Sequence, residues 1–444
     1  MTLAVCADVG STYTKVSIVD VDSGALVDSA SHSTTVDTDV LHGLDAAVAA
    51  TGVRDPAYTY VCSSAGGGLR LAVVGYERLV TAEAGHRVGL SAGARVVHVA
   101  AGPLDRLAVA ALRADRPDVV LLVGGTDGGD AEVLVHNAHR LARARLRVPV
   151  VVAGNAEASP SVVDTLTAAG VPVTAADNVL PRIGELHPQP AREAIREVFL
   201  RHVIGGKRLS RGPRFAALVR GATPDIVLTA IELLADVLPG DLLAVDIGGA
   251  TTDVYSVLSP DGHQEVAGIA WHSRTVEGDL GMRWSAPGAV DAARVERLAE
   301  GGRALDEAAR VRAADPGFLP ATAADEAVEL TLAGLAATIA LRRHARGEPV
   351  GAGGPRRGGR DLREVRLVIG SGGVLRHAQG SAAVAILRQA LADHGGGWAV
   401  PRDARVVLDA DYVLAAAGLL AAEHPAAALG LLRGWLRTEQ AISH

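Results

Sequence analysis

Residues 242–257 read LLAVDIGGATTDVYSV, and this stretch determines the fold expected for the chain. Two apolar runs flank an acid, two glycines and two threonines, a pattern that predicts a buried strand, a tight turn and an antiparallel partner strand. Side chains on the turn glycines would block an anion from the backbone N–H groups. Their absence leaves those groups open, beside the hydroxyls of Thr251 and Thr252. Asp246, at the end of the strand, is suited to hold a hydrated Mg²⁺ against that anion.

The same pattern recurs near the start of the chain, where residues 5–19 read VCADVGSTYTKVSIV. Asp8 takes the place of Asp246, and a glycine and small hydroxyl residues follow it. Strand, acid, glycine, hydroxyls and strand therefore occur twice, which predicts two similar hairpins that each present an anion-binding turn.

Lysine is scarce in this chain. Lys15, in the first hairpin, and Lys207 are its two lysines, and every other strong base is an arginine. Either Lys15 is retained because a compact ammonium fits where a guanidinium does not, or it is a chance survivor of an arginine-rich composition.

Length and composition limit the class of protein. A chain of 444 residues is long enough for two or three domains, and a net charge of −7 gives no electrostatic footprint for nucleic acid. Cys6 and Cys62 provide neither a disulfide framework nor zinc-site spacing, which fits a reducing cytoplasm. No secretory pattern begins at Met1, and the longest apolar runs are too short for a bilayer. We expect a soluble, cytoplasmic protein with no nucleic-acid or membrane partner.

The middle of the chain has a different texture. Across residues 74–205, short all-apolar strands alternate with helical stretches, which predicts an inserted doubly wound α/β subdomain. Residues 1–73 would then form the first part of an N-terminal lobe, and residues 206–444 the remainder of the main fold.

A glycine-rich segment at Gly124–Asp130 follows the second strand of that block, at the strand end where open α/β sheets bind ligands. Two interpretations remain open. Either Asp127 and Asp130 flank a metal or polar ligand, or the segment is a glycine turn in which Asp130 caps the next helix.

A third glycine loop, Gly370-Ser371-Gly372-Gly373, closes a short buried strand and precedes a helix. Such a loop lets a flat ring or a sugar lie close to the backbone. The two hairpins followed by this loop resemble the actin-like ATPase superfamily, which includes sugar kinases and DnaK-type chaperones. That resemblance implies a two-lobed, ribonuclease H-like α/β fold with ATP in the cleft and Mg²⁺-assisted phosphoryl transfer.

A narrower resemblance extends over nearly the full length. The segments that carry it are Asp8–Lys15, Cys62–Arg70, Val123–Asp130, Val152–Asn155, Pro190–Phe199, Asp241–Val257, Arg274–Arg283 and Val368–Leu375. They are similar to the glutamate mutase accessory protein family (MutL, also called GlmL), which is unrelated to the mismatch-repair protein of that name. Members resemble ATP-dependent reactivating factors that release damaged cobalamin from adenosylcobalamin-dependent mutases.

The resemblance also implies roles for individual residues. Asp8 and Asp246 would organise Mg²⁺ and catalysis. The phosphate and nucleoside contacts would come from Gly10, Ser11, Thr12, Lys15, Gly248, Gly249, Thr251, Thr252, Gly370, Gly372 and Gly373. No superfamily motif assigns the acid that orients the attacking water. Glu277 and Asp279 are candidates, and the alternative is that they lie in a solvated turn.

Three functions compete on this basis. The leading hypothesis is a slow ATPase that reactivates an adenosylcobalamin-dependent mutase of the glutamate mutase type. The second is a small-molecule kinase on the same fold, for which the sequence places no substrate pocket. The third is a nucleotide-gated scaffold with little turnover. The sequence identifies neither the partner mutase nor whether the inserted subdomain binds that partner or cobalamin.

Overall fold

The computed structural model of the protein describes residues 1–65, 69–76, 85, 88, 95–183, 185, 187, 189–199, 201, 209–258, 272–299, 302–349, 356–357, 359–379 and 381–442. These residues form two compact units. The first unit takes the described residues within Met1–Gly67, Leu209–Ser259 and Trp271–His444, and the second takes those within Gly68–Arg208. Of the segments that carry the family resemblance, residues 66–68 lie outside the described residues.

The described strands are β1 (Leu3–Val9), β2 (Tyr13–Asp20), β3 (Ala25–Ser33), β4 (Tyr58–Ser63), β5 (Arg70–Gly75), β6 (Arg95–Ala101), β7 (Val119–Leu122), β8 (Val150–Val152), β9 (Val173–Ala175), β10 (Val219–Ala222), β11 (Asp241–Ile247), β12 (Thr252–Val257), β13 (His272–Glu277), β14 (Glu348–Pro349), β15 (Arg356–Arg357), β16 (Val365–Ser371) and β17 (Arg405–Leu408).

The described helices are α1 (Val40–Ala50), α2 (Arg106–Ala114), α3 (Glu132–Ala144), α4 (Ser159–Ala168), α5 (Gln189–Val198), α6 (Pro213–Leu218), α7 (Thr223–Ala235), α8 (Ala286–Val295), α9 (Arg303–Ala314), α10 (Ala323–Arg346), α11 (Gly373–His377), α12 (Ala382–Leu391), α13 (Val413–Leu420) and α14 (Pro425–Ile442).

Two five-stranded sheets of the first unit have the same topology. The first sheet has the order β10-β4-β1-β2-β3, and the second has the order β13-β12-β11-β16-β17. In each sheet, three consecutive strands pair antiparallel, and two further strands pair parallel beyond the first of those three. The duplicated hairpins of the sequence are thus the central strands of duplicated sheets, and the predicted two-lobed actin-like fold is confirmed.

One core is built from the facing surfaces of both sheets together with α7, α13 and α14. Cys6 of β1 and Ala244 of β11 both belong to it. Because side chains alternate along a strand, Asp8 and Asp246, two residues further on, continue the same faces. A separate core on the other surface of the second sheet packs that sheet against α8, α10 and α12.

The second unit contains a five-stranded, all-parallel sheet with the order β6-β5-β7-β8-β9. Its apolar strand residues form a core with residues of α2, α3 and α4. The inserted doubly wound α/β subdomain is therefore confirmed as a fold.

Strand β5 was not predicted, although it lies next to the middle strand of this sheet. Its residues, Arg70–Gly75, extend across the expected boundary at 73/74 and belong to the second unit. The glycines at 66–68, just before it, are more typical of a hinge or an interdomain turn than of the start of a strand. Among the described residues, no helix is both long and apolar enough to cross a membrane.

Candidate functional site

The first hairpin joins β1 to β2 and closes on a hydrogen bond of 3.0 Å from the Gly10 N–H to the Tyr13 carbonyl. Asp8 lies opposite Lys15 in the strand register, and Lys15 Nζ is 2.9 Å from Asp8 Oδ2. The other carboxylate oxygen, Oδ1, accepts a hydrogen bond of 2.5 Å from Thr223 Oγ1, at the start of α7. Both oxygens of the buried Asp8 carboxylate are therefore already engaged.

The second hairpin, from β11 to β12, has the same turn. Its Gly248 N–H donates a hydrogen bond of 2.9 Å to the Thr251 carbonyl. Asp246 lies opposite Asp253, which takes the place that Lys15 has in the first hairpin. The equivalent positions of the two hairpins thus hold an ammonium in one case and a second carboxylate in the other.

The charges of the two hairpins affect one another. Burial raises the pKa of Asp246, and the neighbouring Asp8 adds to this, while Lys15 and a hydrogen bond from Ser371 oppose it. Burial also raises the pKa of Asp253 to about 7, against the lowering effect of the Arg274 guanidinium. The second hairpin therefore holds two acids whose ionisation is disfavoured in the absence of a cation.

Lys15 shows the opposite balance. Burial lowers the pKa of its ammonium, but the charges of Asp8, Tyr412 and Asp246 outweigh that effect and raise the pKa above the usual value for lysine. Lys15 therefore stays charged, and its influence reaches Asp246 on the second hairpin as well as Asp8 on its own.

The two turns approach each other closely. A Cβ added at Gly249 would lie 2.5 Å from Thr12 Oγ1, a distance that a real side chain does not adopt. Thr12 Oγ1 is buried and has no hydrogen-bond partner within the part of the chain that the structure describes. Ser11 beside it is half-buried. A buried hydroxyl without a partner at a glycine-lined contact is a position at which an anion would be bound.

The two threonines of the second turn have structural partners. Thr252 is fully buried, and its hydroxyl donates a hydrogen bond of 2.7 Å to the Leu280 carbonyl. The Thr251 hydroxyl donates one of 3.2 Å to Asp253 Oδ2. The sequence predicts that both hydroxyls face the anion. In the structure the Thr252 side chain points into the protein instead, because Thr252 is already part of β12.

The segment after β13 supports this turn. The Met282 N–H donates to the Gly248 carbonyl at 3.0 Å, and the Arg283 N–H donates to the Gly249 carbonyl at 2.8 Å. The Arg283 side chain pairs with the buried Glu329 of α10, at 3.0 Å. The conformation of the second turn is thus fixed by backbone hydrogen bonds to the carbonyls of both of its glycines.

In the third loop, Gly370 and Gly372 are packed tightly against neighbouring atoms, whereas Gly373 has free space beside it. A Cβ on Gly370 would lie 2.4 Å from Leu387 Cδ1. Gly372 has a φ of +110°, and a Cβ there would be 2.2 Å from the Ile247 carbonyl oxygen. Gly373 has room, since the nearest described atom to a Cβ is the Tyr412 hydroxyl at 4.0 Å. Gly373 is therefore the position of this loop at which a ligand can approach.

The two acids proposed to orient water, Glu277 and Asp279, are both paired with Arg343 of α10. Glu277 Oε2 is 2.6 Å and Asp279 Oδ1 is 2.7 Å from Arg343 Nη1. Neither of them lies opposite Asp246 in the strand register. Asp253 has that position, and its Oδ1 is buried without a hydrogen-bond partner among the described residues.

The Gly124–Asp130 segment is a tightly bonded turn. Asp130 Oδ1 accepts a hydrogen bond from the Glu132 N–H at the start of α3, and its Oδ2 accepts one from the Tyr76 hydroxyl. Asp127 Oδ1 accepts from the Ala156 N–H. Of the two interpretations left open by the sequence, these contacts favour the turn with a capping acid over a ligand site.

The arrangement at the two hairpins fits a polyphosphate with one divalent cation. The part of the chain that the structure describes holds no group of three or more His, Cys, Asp or Glu residues able to bind a metal by themselves. Mg²⁺ is commonly held by one or two carboxylates together with phosphate oxygens and water, and the Asp246–Asp253 pair meets that requirement. The turn glycines and the unpartnered Thr12 hydroxyl supply the phosphate side.

Sequence reasoning missed Asp253 and the segment around Tyr412. Asp253 was detectable, because aligning the two hairpins places it at the position of Lys15. Tyr412 follows β17, and two cations lie over its ring. They are Lys15 Nζ and the Arg376 guanidinium, each 4.7 Å from the ring centroid. No sequence motif predicted that contact.

Comparisons with known proteins give a consistent family match. The sequence profile of the family described as MutL protein matches residues 4–436. The Protein MutL of Clostridium tetanomorphum is 34% identical over 457 aligned residues, which cover 97% of this chain and 98% of that protein.

Three solved structures are similar to this chain at low sequence identity and with TM-scores below 0.5. A nucleotide-free acetone carboxylase is 16% identical, with 95% of this chain and 70% of that chain covered and a TM-score of 0.41. A nucleotide-free diol dehydratase-reactivating factor is 12% identical, with 96% and 100% covered and a TM-score of 0.37. Component A of the Acidaminococcus fermentans (R)-2-hydroxyglutaryl-CoA dehydratase is 11% identical, with 96% and 100% covered and a TM-score of 0.31.

Proposed function

Because the chain belongs to the MutL protein family, we propose that it is an ATP-dependent reactivating protein for an adenosylcobalamin-dependent mutase of the glutamate mutase type. In this role it binds Mg·ATP, hydrolyses it slowly in the cytoplasm, and uses the resulting lobe motion to release damaged cobalamin from the mutase. The observation that carries the proposal is the pair of equivalent hairpins, one bearing Asp8 and Lys15 and the other Asp246 and Asp253.

The phosphates would be held by the two turns. The N–H groups of Gly10 and Gly248 close the turns by hydrogen bonds to Tyr13 and Thr251, so the phosphate contacts would come from the remaining N–H groups of the two turns. The hydroxyls of Ser11 and Thr12 lie beside them. Lys15, held at 2.9 Å from Asp8, adds a fixed positive charge on the first turn. Positioning and charge neutralisation of this kind supply most of the rate in phosphoryl transfer.

The cation would be held by the second hairpin. Both oxygens of Asp8 already accept hydrogen bonds, so Asp246 is the direct ligand and Asp8 contributes through its charge. When bound, Mg²⁺ supplies neutralisation of the phosphate charge and lowers the pKa of the neighbouring acids. Asp253 lies opposite Asp246 and has a buried carboxylate oxygen without a hydrogen-bond partner among the described residues, so it is a candidate to accept a proton from an attacking water. Glu277 remains a second candidate for that role.

The test uses the purified protein with Mg·ATP, alone and with an adenosylcobalamin mutase inactivated by bound, damaged coenzyme. We expect nucleotide binding by calorimetry, slow phosphate release that the mutase stimulates, and ATP-dependent loss of cobalamin absorbance from the mutase. Absence of ATP binding would contradict the proposal at its first step. Binding with negligible turnover would instead support the nucleotide-gated scaffold, and rapid phosphorylation of a metabolite would support the kinase.

A further inference from the structure

The short segment Asp409–Tyr412, between β17 and α13, contacts both five-stranded sheets of the first unit. Its Asp409 N–H donates a hydrogen bond of 2.8 Å to the Gly370 carbonyl on the second sheet. Ser17 Oγ, on β2 of the first sheet, donates one of 3.4 Å to the Asp411 carbonyl. The segment is therefore a physical link between the strand that carries Lys15 and the loop expected to border the nucleoside.

Tyr412 is held in this segment against its local preference. Its φ of 55° and ψ of 36° place it in the left-handed region, which is uncommon for a residue with a bulky side chain. The Asp409 carboxylate fixes the turn by accepting hydrogen bonds from the N–H groups of Val413 at 2.6 Å and Leu414 at 3.1 Å. The conformation buries the Tyr412 side chain to 8% exposure.

The consequence of this conformation is the contact of one ring with two cations from different parts of the site. Lys15 lies on the first hairpin and Arg376 on α11, directly after the third loop, and each is 4.7 Å from the ring centroid. Aromatic faces attract cations, most strongly where water is excluded. The ring thus restrains two long, flexible side chains whose like charges would otherwise separate them.

We propose that Tyr412 is a positioning residue that holds Lys15 and Arg376 in the geometry needed for nucleotide binding and hydrolysis. The role rests on the proposed function, but the restraint on Lys15 exists without nucleotide. The ring rather than the hydroxyl is the active part, so Tyr412→Phe is expected to retain it. Tyr412→Asn and Tyr412→Gly remove the ring while suiting the left-handed backbone, which guards against a variant that fails to fold.

A first experiment needs no nucleotide, because the chain has only two lysines. Lys15 and Lys207 are acetylated with a limiting reagent at pH 8, and their modification is quantified by mass spectrometry, with Lys207 as the internal reference. Loss of the ring removes one restraint on the Lys15 amine while the ion pair with Asp8 remains, so we expect about threefold faster Lys15 acetylation in Tyr412→Asn and Tyr412→Gly and wild-type behaviour in Tyr412→Phe. Unchanged Lys15 reactivity in both ring-less variants overturns the proposal, whether or not the protein binds ATP.

A second experiment measures ATP hydrolysis in a double-mutant cycle. Tyr412→Asn is expected to lower kcat/KM about tenfold in the wild-type background and by a clearly smaller factor in a Lys15→Met background, where only the restraint on Arg376 is left to lose. An equal loss in both backgrounds indicates general destabilisation and overturns the proposal. If the wild-type protein binds no nucleotide, the proposed function fails, while the acetylation result still decides whether the Tyr412 ring restrains Lys15.

Discussion

The two hairpins of the first unit have the same backbone and different chemistry. Each closes on a glycine N–H bonded to a carbonyl three residues later, and each carries an aspartate at the end of its first strand. In the first hairpin the residue opposite the aspartate is Lys15, which neutralises Asp8 directly. In the second it is Asp253, which leaves two carboxyl groups side by side near Asp246.

This difference separates the tasks of the two halves. The first hairpin is complete by itself, since its acid has a charged partner and its lysine remains protonated. The second lacks a cation, and burial holds the pKa values of its two acids above their ordinary range. A divalent cation carried in with a phosphate chain would supply the missing charge. On this comparison we propose that metal binding falls chiefly to the second hairpin and anion binding to both.

The largest effect is expected for Asp246→Asn. The change preserves volume but removes the charge that would hold the metal, so Mg·ATP hydrolysis should fall by about 10³-fold. Phosphate release and nucleotide affinity are measured against Asp241→Asn, at the other end of the same strand. Because burial disfavours the Asp246 charge, the variant should melt no lower than wild type without nucleotide. Wild-type hydrolysis in a folded Asp246→Asn protein would contradict the metal assignment.

Lys15→Met tests the first hairpin and should have the next largest effect, a loss of about 10²-fold in ATP hydrolysis. The change also leaves the buried Asp8 without its charged partner, so the melting temperature should fall as well. Lys15→Arg is the matched control, since it keeps the charge and changes only the shape. Full recovery of activity by arginine would show that the scarcity of lysine elsewhere in the chain gives Lys15 no special meaning.

Asp253→Asn is expected to change stability in a pH-dependent way. The folded-state pKa of Asp253, about 7, lies above the value of roughly 4 for an unfolded aspartate, so the folded protein binds the extra proton between these values. Stability from this group is present below pH 4 and is lost as the pH rises through 7. In chelator, the variant should therefore be more stable than wild type at pH 8, by about 4 kcal/mol, and nearly equal to it at pH 4. A difference that does not vary with pH would contradict the buried, cation-free acid.

Gly249→Ala probes the contact between the hairpins and should have the smallest effect. The added methyl would meet Thr12 Oγ1 at 2.5 Å, and this flexible side chain can turn away, so nucleotide affinity should weaken by only about fivefold. The same substitution in a Thr12→Ala background should cost less, because the clash is removed. An equal cost in both backgrounds would show that the loops do not meet in solution as they do here.

The sequence predicted the fold and the two hairpins because both rest on a local pattern that occurs twice. It predicted the family through motifs spread along nearly the whole chain. The fold class and the family are confirmed, whereas the site residues stay predictions. What the sequence reading missed depends on register. Thr252 was read as a ligand from its type alone, yet strand alternation directs it inward. Asp253 becomes apparent only when the two hairpins are aligned beyond their turns, into the second strand of each.

Other features were beyond a local reading. Strand β5 follows a run of glycines, and its place beside β7 is set by contacts with residues far along the chain. The contact of Tyr412 with Lys15 and Arg376 joins three distant segments. Lys15 is hundreds of residues from Tyr412 in the sequence, and Arg376 is separated from it by α12 and β17. These contacts form only when α13 packs into the core, so no single stretch of sequence predicts them.

The opposing partners of Asp8 and Asp246 also bear on symmetry. Two identical half-chains assembled as a twofold dimer would carry the same residue at both positions, and would face a ligand with either two ammonium groups or two extra carboxylates. A single chain that contains both halves is free of that restriction. The Lys15–Asp253 difference thus requires two non-identical halves, which a single fused chain supplies. It would give a phosphate chain bound between the hairpins two chemically different ends.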